Sequence, residues 1–497
     1  MLRWSRWCAP CSAKYSPAGR WNTRLEALTN FFTTIGERLA PVARGFENVV
    51  NTVNAFVWGP FMLVLLVGTG IFFTVRCNFL QIKRFFFICK NTIGSLFGGS
   101  GRRSGKRGIS PFQALTTALA GTIGTGNIVG VATAIIAGGP GALFWMWVSA
   151  FFGMATKYAE IVLAIKFRTV NERGEYVGGP MYYIEKGLHL KPLAVVFALF
   201  AALASFGIGN MTQVNSISAN LRATFHIPPL VTGLVAALIV GLVILGGIRR
   251  IGSVTEKMVP FMAIPYLLGG VAILVVNRAA LPDALSLVFR EAFSFRAVGG
   301  GVAGYVIFNA MKYGVARGVF SNEAGLGSAP IVHAAADVDH PVKQGVWGVF
   351  EVFFDTILGC SVTAFAILTS GLLGSGIGDA EISSAAFELA FPGFGSIFVT
   401  VAMVFFAFST ILGWSYYGER CVEYLFGGGA TVVYKIIYLA AIVVGATLNL
   451  SLVWKIADTL NGLMAIPNLI ALLGLSGVVI KTTRDYFRRP LGQTKLK

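Results

Sequence analysis

Apolar runs long enough to cross a bilayer recur along this chain from Phe56 onward, and no other feature restricts its fold as strongly. The hydrocarbon of a membrane is about 30 Å thick and takes about 20 helical residues to span. Runs of that order lie near residues 55–75, 112–137, 141–165, 193–213, 230–247, 259–277, 298–329, 345–370, 394–417, 432–450 and 455–480, eleven in all. Only 12% of the 497 residues are charged, against about 25% in a soluble domain. Backbone groups in lipid cannot turn to water, so runs of this length must satisfy their own hydrogen bonds as helices. The expectation is an all-α polytopic membrane protein with about 11 transmembrane helices.

A net charge of +18 on a soluble surface would suggest nucleic acid, but here the cations sit in loops beside the apolar runs. The segment from Arg76 to Ser110 carries Arg76, Lys83, Arg84, Lys90, Arg102, Arg103, Lys106 and Arg107 without one acidic residue. An excess of Lys and Arg marks the cytoplasmic side. Alternation then places Lys166–Lys191, Arg249–Lys257 and the tail from Lys481 inside, and the acidic loop 371–393 with Asp379, Glu381 and Glu388 outside. The N-terminus is expected outside, even though residues 1–54 carry seven Lys and Arg, and the C-terminus is expected in the cytoplasm. Within the basic loop, Gln81–Phe97 mixes cations with Phe85, Phe86 and Phe87, the pattern of a helix lying in the interface; Tyr182–Lys186 reads the same way.

Eleven spans divide as one plus ten. Splitting the ten at the loop 278–297 leaves five per half, an odd number, so the halves must run in opposite directions, which is the arithmetic of an inverted repeat. The resulting division is residues 1–45 as an N-terminal extension, 46–111 as an extra helix with its basic interfacial segment, 112–277 and 298–480 as the two five-helix repeats, and 481–497 as a basic tail. Each repeat opens on a compromised helix. The first contains Ala120-Gly121-Thr122-Ile123-Gly124-Thr125-Gly126-Asn127, and the second contains Gly299–Gly301, Gly304, Asn309, Lys312, Gly314, Arg317 and Gly318.

Three glycines in six residues weaken a helix by roughly 1 kcal/mol each relative to alanine. A helix broken at mid-membrane survives only where it lines a cavity, and there it exposes carbonyls for a cation and N–H groups for a carboxylate. Close helix packing through Gly126-x-x-x-Gly130 is the plainer alternative, but it leaves Thr122, Thr125 and Asn127 unexplained. The spacing does not fit a dinucleotide loop, and a single copy of Thr-Ile-Gly-Thr-Gly cannot build a potassium filter. In the ninth run, Ser409 and Thr410 offer either cation ligands or hydroxyls bonded back to their own helix; Trp414 follows one turn later on the same face. Gln213 can reach inward from the fourth run. Lys157, Glu160, Glu351, Asp355 and Asp458 are ionisable residues in apolar runs, which marks them as functional candidates; Lys157 with Glu160 reads as a structural pair, and Glu351 and Asp355, four apart, share a helix face. Scattered Cys8, Cys11, Cys77, Cys89, Cys360 and Cys421 and four loop histidines form no metal or disulfide framework, and no nucleophile triad or Walker lysine is present. No enzymatic chemistry and no organic cofactor is expected.

Gly121–Val131, the run Gly138–Gly153 (GGPGALFWMWVSAFFG) and Gly318–Pro330 (GVFSNEAGLGSAP) resemble the alanine or glycine:cation symporters, bacterial sodium-coupled amino-acid carriers. The resemblance runs from about Phe56 to the C-terminus. It implies a leucine-transporter-type fold of 5+5 inverted helices plus one N-terminal helix, in the bacterial plasma (inner) membrane. It further implies that Gly124, Thr125, Gly126 and Asn127 bind the amino-acid backbone, with Gln213, Gly318, Thr410, Trp414 and Tyr416 completing the pocket. Na⁺ would be held by the backbone of Ala120 and Ile123 with Ser409 and Thr410. The implied partners are a small neutral amino acid, alanine or glycine, and Na⁺ in a lipid bilayer, with a monomer as the working unit and no nucleic acid. Proton coupling through Glu351, Asp355 or Asp458, or a sensor or channel on the same fold, are the rival readings.

Overall fold

The computed structural model describes residues 45, 47–97, 105, 107–293, 302–448 and 451–488. The chain divides into two units, residues 1–53 and 54–497. In the first, the described residues 45 and 47–53 are helical; the rest of the expected extension, with Cys8 and Cys11, lies outside the described residues, as do Gly299–Gly301 and the end of the basic tail.

The described part of the second unit is helical apart from one short antiparallel hairpin, Thr169–Val170 paired with Tyr176–Val177. That hairpin falls in the segment Lys166–Lys191, expected on the cytoplasmic side. Among the described residues, eight helices are long and apolar enough to cross a membrane by length and composition. The remaining apolar runs contain Pro229–Ile244, the pair Pro111–Thr122 and Val129–Gly138, and Val302–Asn322. Short helices Leu281–Ala292 and Ile382–Ala390 occupy the loop 278–297 between the repeats and the acidic loop 371–393.

The apolar distribution is that of a membrane protein. Leu234, Leu238 and Leu242 recur every fourth residue and are exposed, as are Phe261, Leu268 and Val275 at intervals of seven. Such spacing puts each set on one helix face, and a greasy outward face has lipid as its natural neighbour.

Inside, small residues set the closest approaches. The helix Pro341–Val352 lies against Ala142–Lys166, where a Cβ on Gly345 would stand 2.8 Å from the Tyr158 ring and one on Gly348 would meet Ile161 and Lys157. Glycine at both positions lets the backbones approach, as in other membrane bundles. This seam holds a fully buried charge pair: Lys157 Nζ lies 3.3 Å from Glu351 Oε1. Glu351 Oε2 is 2.9 Å from His333 Nε2, and the other ring nitrogen of His333 is 2.8 Å from the Gln344 amide. Glu160 is therefore not the partner of Lys157 expected from sequence; its carboxylate accepts from Asn468 Nδ2 (2.6 Å) and Gly325 N (3.1 Å). Proximity along one helix suggested the pair, but the facing helix offered Lys157 a better-placed carboxylate. Asp458 also differs from expectation: it is half-buried and bonded to Asn54 at 3.1 Å.

Removing one member of a buried ion pair leaves the other uncompensated, at a cost of about 3–5 kcal/mol. Lys157→Met should therefore sharply lower the melting temperature of the detergent-solubilised protein, and adding Glu351→Gln should restore part of the loss. Strictly additive losses would show that the two residues do not act as a pair.

Candidate amino-acid and cation site

The first helix of the site begins with a full capping box. Ser110 Oγ accepts from Gln113 N and Gln113 Oε1 accepts from Ser110 N, both at 3.1 Å, with Pro111 at the first helical position. That helix ends at Thr122. Ile123 is extended (φ −75°, ψ 95°), Thr125–Asn127 form one 3-10 turn, and the helix resumes at Val129.

Asn127 determines what the break exposes. In an unbroken helix Gly124 N–H would bond Ala120 O; here it donates to Asn127 Oδ1 at 3.0 Å. Asn127 N–H in turn bonds Gly124 O, not Ile123 O. The carbonyls of Ala120 and Ile123 are thereby left without their helical donors. Ser409 and Thr410, on the long helix Gly395–Phe426, point at them. Ser409 Oγ lies 3.2 Å from Ala120 O, 3.4 Å from Ile123 O and 2.8 Å from Phe406 O. Thr410 Oγ1 lies 3.4 Å from Ile123 O and 3.0 Å from Phe406 O. Both hydroxyls bond back to Phe406 O in their own helix and also lie within 3.4 Å of a freed carbonyl. These five oxygens are hard donors of the kind an alkali cation takes, and none belongs to a carboxylate. The structure thus brings together Ala120, Ile123, Ser409 and Thr410, and adds the Phe406 carbonyl. That fifth oxygen was invisible in the sequence because any residue type supplies a carbonyl.

The N–H groups of Thr125 and Gly126 have no acceptor among the described residues. Two further polar atoms beside the break are buried without a partner, Thr125 Oγ1 and Gln213 Oε1. Gln213 is anchored through Nε2 to Ile208 O at 2.9 Å, which directs its oxygen to the break: a Cβ built on Gly124 would lie 2.5 Å from Thr410 Oγ1 and 3.5 Å from Gln213 Oε1. On the other side, a Cβ on Gly126 would meet the Phe320 ring at 3.2 Å. A cavity of about 230 Å³ adjoins, lined by Thr125, Gly126, Thr133, Arg317, Phe320 and Asp379 among others.

A second interruption faces the first, later in the chain than the glycines suggested. Val302–Asn322 is one continuous helix, so Gly314 and Gly318 lie inside it. They admit the neighbouring helix: a Cβ on Gly314 would stand 2.7 Å from Trp145 Cβ, and one on Gly318 would be 3.3 Å from Ser149 Oγ. The chain leaves helical geometry at Glu323–Ser328, where Glu323, Gly325 and Gly327 have positive φ of 56°, 93° and 87°. Glu323 Oε1 accepts from Trp414 Nε1 at 2.9 Å, and its other oxygen accepts from Ser328 Oγ. Gly325 is pinned by Glu160 and Asn468 (2.9 Å from Asn468 Nδ2 to Gly325 O). Glu323 and Asn468 are not singled out by the sequence, and Glu160 reads there as the structural partner of Lys157, although Asn322–Ser328 carries the same mix of glycine and polar residues as the first break.

Trp414 is buried between Glu323 and a widened turn, Gly207–Met211, where its Cβ crowds against Gly209. Extra-wide turns of this kind cluster at functional sites. Tyr416 does not join the site; its ring lies under Arg420, 5.2 Å from the guanidinium carbon. The next residue, Tyr417, does: its buried hydroxyl lacks a partner and lies against Gly121. One residue is about 100° of helix rotation, which accounts for the exchange. Asp355, also in a wide turn (Phe353–Cys360), accepts from Asn127 Nδ2, Ser321 Oγ and Thr356 Oγ1, each at 2.8 Å. Glu351, one turn away, faces Lys157 instead, so the two carboxylates serve different surroundings.

Comparison with known proteins sets this geometry in context. A family model described as the sodium:alanine symporter family matches residues 43–496. The chain belongs to that family. Its members include the sodium/alanine symporter AgcS of Methanococcus maripaludis, 52% identical over 89% of this chain and 97% of that protein. Among solved structures, MhsT in complex with L-phenylalanine superposes with a TM-score of 0.52 at 15% identity, over 77% of this chain and 99% of that one. A Na⁺-coupled sialic acid symporter in a substrate-bound outward-open state gives 0.52 at 13% identity, over 87% and 95%. These likenesses establish a leucine-transporter-type fold. With family and fold together, the protein is a multi-pass membrane transporter, a cation-coupled amino-acid symporter.

Asn127→Ala should let Gly124 N–H return to Ala120 O and withdraw an oxygen from the five. The apparent affinity for Na⁺, read as the sodium-dependent rise in melting temperature, should fall about tenfold, equivalent to about 1.4 kcal/mol. An unchanged sodium response would show that the Ala120 carbonyl is not a ligand.

Proposed function

We propose that this symporter couples the uptake of small neutral amino acids, alanine or glycine, to the inward movement of Na⁺ by alternating access. The observation that carries the sodium assignment is the cluster of five oxygens, two of them carbonyls freed by the break. The substrate carboxylate would take the unpaired N–H groups of Thr125 and Gly126, which sit at the positive end of the helix that resumes at Val129. The ammonium would take Gln213 Oε1 and Thr125 Oγ1. Na⁺ beside the carboxylate lowers the cost of dehydrating it, so each ligand favours binding of the other. Phe320 and Trp414 then bound the side-chain end, which suits a methyl group or a hydrogen. The identity to a protein named a sodium/alanine symporter supports the same reading.

The proposed orientation has the basic segments Arg76–Ser110 and Lys166–Lys191 in the cytoplasm. The cavity beside Arg317 and Asp379 would then open outward, because Asp379 belongs to the acidic outer segment. The N-terminus would be outside and the C-terminus inside. Rocking of one helix group against the other would expose the bound pair to the cytoplasm.

Asp355 favours a second reading, coupling to protons. It is fully buried at the first break, and its oxygens receive only neutral donors; buried carboxylates of this kind serve as proton relays in transporters.

Proteoliposomes loaded without sodium discriminate the two. Labelled alanine should accumulate under an inward Na⁺ gradient and fail to do so under an inward proton gradient alone. Thr410→Ala should raise the sodium concentration for half-maximal uptake about tenfold, one hydroxyl ligand being worth about 1–1.5 kcal/mol. Accumulation driven by protons, lost on Asp355→Asn and indifferent to Thr410→Ala, would establish the second reading.

A further inference from the structure

We infer that this transporter holds the phosphate headgroup of an anionic glycerophospholipid in a cavity between the end of its first helix and its last helix. The cavity is about 500 Å³, and none of its lining residues belongs to the substrate and cation site. Five cations line it: Arg76, Lys83 and Arg84 from one segment, and Arg484 and Arg488 from the other. Leu80 and Ile480 are buried beneath them.

The local fold explains the convergence. After Pro60–Arg76 the chain takes two consecutive left-handed residues, Asn78 (φ 58°) and Phe79 (φ 53°), and turns into the short helix Leu80–Lys83. That turn brings Lys83 and Arg84 back beside Arg76. The helix Ser476–Arg488 supplies the opposing wall. Lys83 Nζ bonds Asn78 Oδ1 at 2.6 Å, and Arg84 lies 4.6 Å over the Phe487 ring. Both side chains are thus held at the cavity by neutral partners that leave their charge uncompensated.

No carboxylate lines the cavity, and none of the five cations has an ion pair among the described residues. The wall helix carries one acid, the exposed Asp485 beside Arg484, which neither lines the cavity nor forms an ion pair with its cations among the described residues; the flanking sequences 98–108 and 489–497 contain no Asp or Glu. The buried cation cluster around Arg420, by contrast, is neutralised within the protein. Arg420 pairs with Glu423 at 2.5 Å and Glu419 at 2.8 Å, and Lys435 pairs with Glu419 at 3.1 Å. Five like charges around one cavity favour an anion there, and phosphate is the anion that guanidinium forks match best.

The rim identifies the source of the phosphate. Phe79, Ile82, Phe85 and Phe86 are exposed beside the cations. Apolar and basic side chains interleaved at the end of a membrane helix lie at the level where acyl chains meet headgroups, and basic pockets at that level bind anionic lipid. With the orientation proposed above, the lipid belongs to the inner leaflet. Its acyl chains would run over Ile82 and Phe86, and its phosphate would join the first helix to the last.

The test uses the full-length protein in nanodiscs of phosphatidylcholine, with and without phosphatidylglycerol. Phosphatidylglycerol should raise the melting temperature and survive as an adduct in native mass spectrometry. Arg84→Gln with Arg484→Gln, both exposed, should weaken adduct retention about tenfold and remove the thermal shift, while alanine uptake in pure phosphatidylcholine stays at the wild-type level. Arg250→Gln with Lys257→Gln, exposed cations of another basic segment, should leave both readouts intact. Equal loss in this control pair, or full retention in the Arg84/Arg484 pair, would overturn the assignment. So would an equal thermal shift from inorganic phosphate added to the detergent-solubilised protein, which would make the ligand a free anion and not a lipid.

Discussion

The bond from Gly124 N–H to the Asn127 side chain, 3.0 Å long, is the interaction on which the rest of the site depends. A backbone donor in a membrane helix normally has one destination, the carbonyl four residues earlier. Diverting it to a side chain three residues later stops the helix and strips Ala120 O of its donor in the same step. The free carbonyls then face Ser409 and Thr410, which belong to a helix that remains intact through the same depth. The candidate cation site is thereby built from neutral groups only, and its geometry is tied to the loop that also presents Thr125 and Gly126 N–H.

Around this break the protein arranges its buried charges in separate compartments. Glu323 holds Trp414, Glu160 holds Gly325, and Glu351 holds Lys157 and His333. Trp414, Glu160 and Asn468 each bond the second break from a separate helix, so it is held by hydrogen bonds from three directions. That rigidity gives the first break a firm wall to work against. Asp355 stands apart because it is bonded to the first break itself, through Asn127.

The membrane helices were legible because period and length alone define them, and the first break was legible because glycine beside Thr and Asn has no comfortable place in lipid. The second break was misplaced by several residues. Gly314 and Gly318 looked like helix breakers, yet they are contact points that let Ala142–Lys166 approach. Glycine carries both meanings, and only the neighbour in space distinguishes them. Tyr416 and Tyr417 show the same limit at finer scale: adjacent residues face opposite surroundings, and rotation of the helix about its axis is set by packing.

Composition and patterning therefore decided that this is a helical membrane protein, where the helix that opens the first repeat breaks, and which residue types crowd that break. Those properties follow from local chemistry: hydropathy, backbone propensity and the absence of water to satisfy a broken helix. Three-dimensional packing decided which carbonyls meet Ser409 and Thr410, which carboxylate neutralises Lys157, and that Arg84 and Arg484 share one cavity across 400 residues of chain. These depend on the approach of distant segments, and a contact between distant segments leaves no trace in the residues on either side of it.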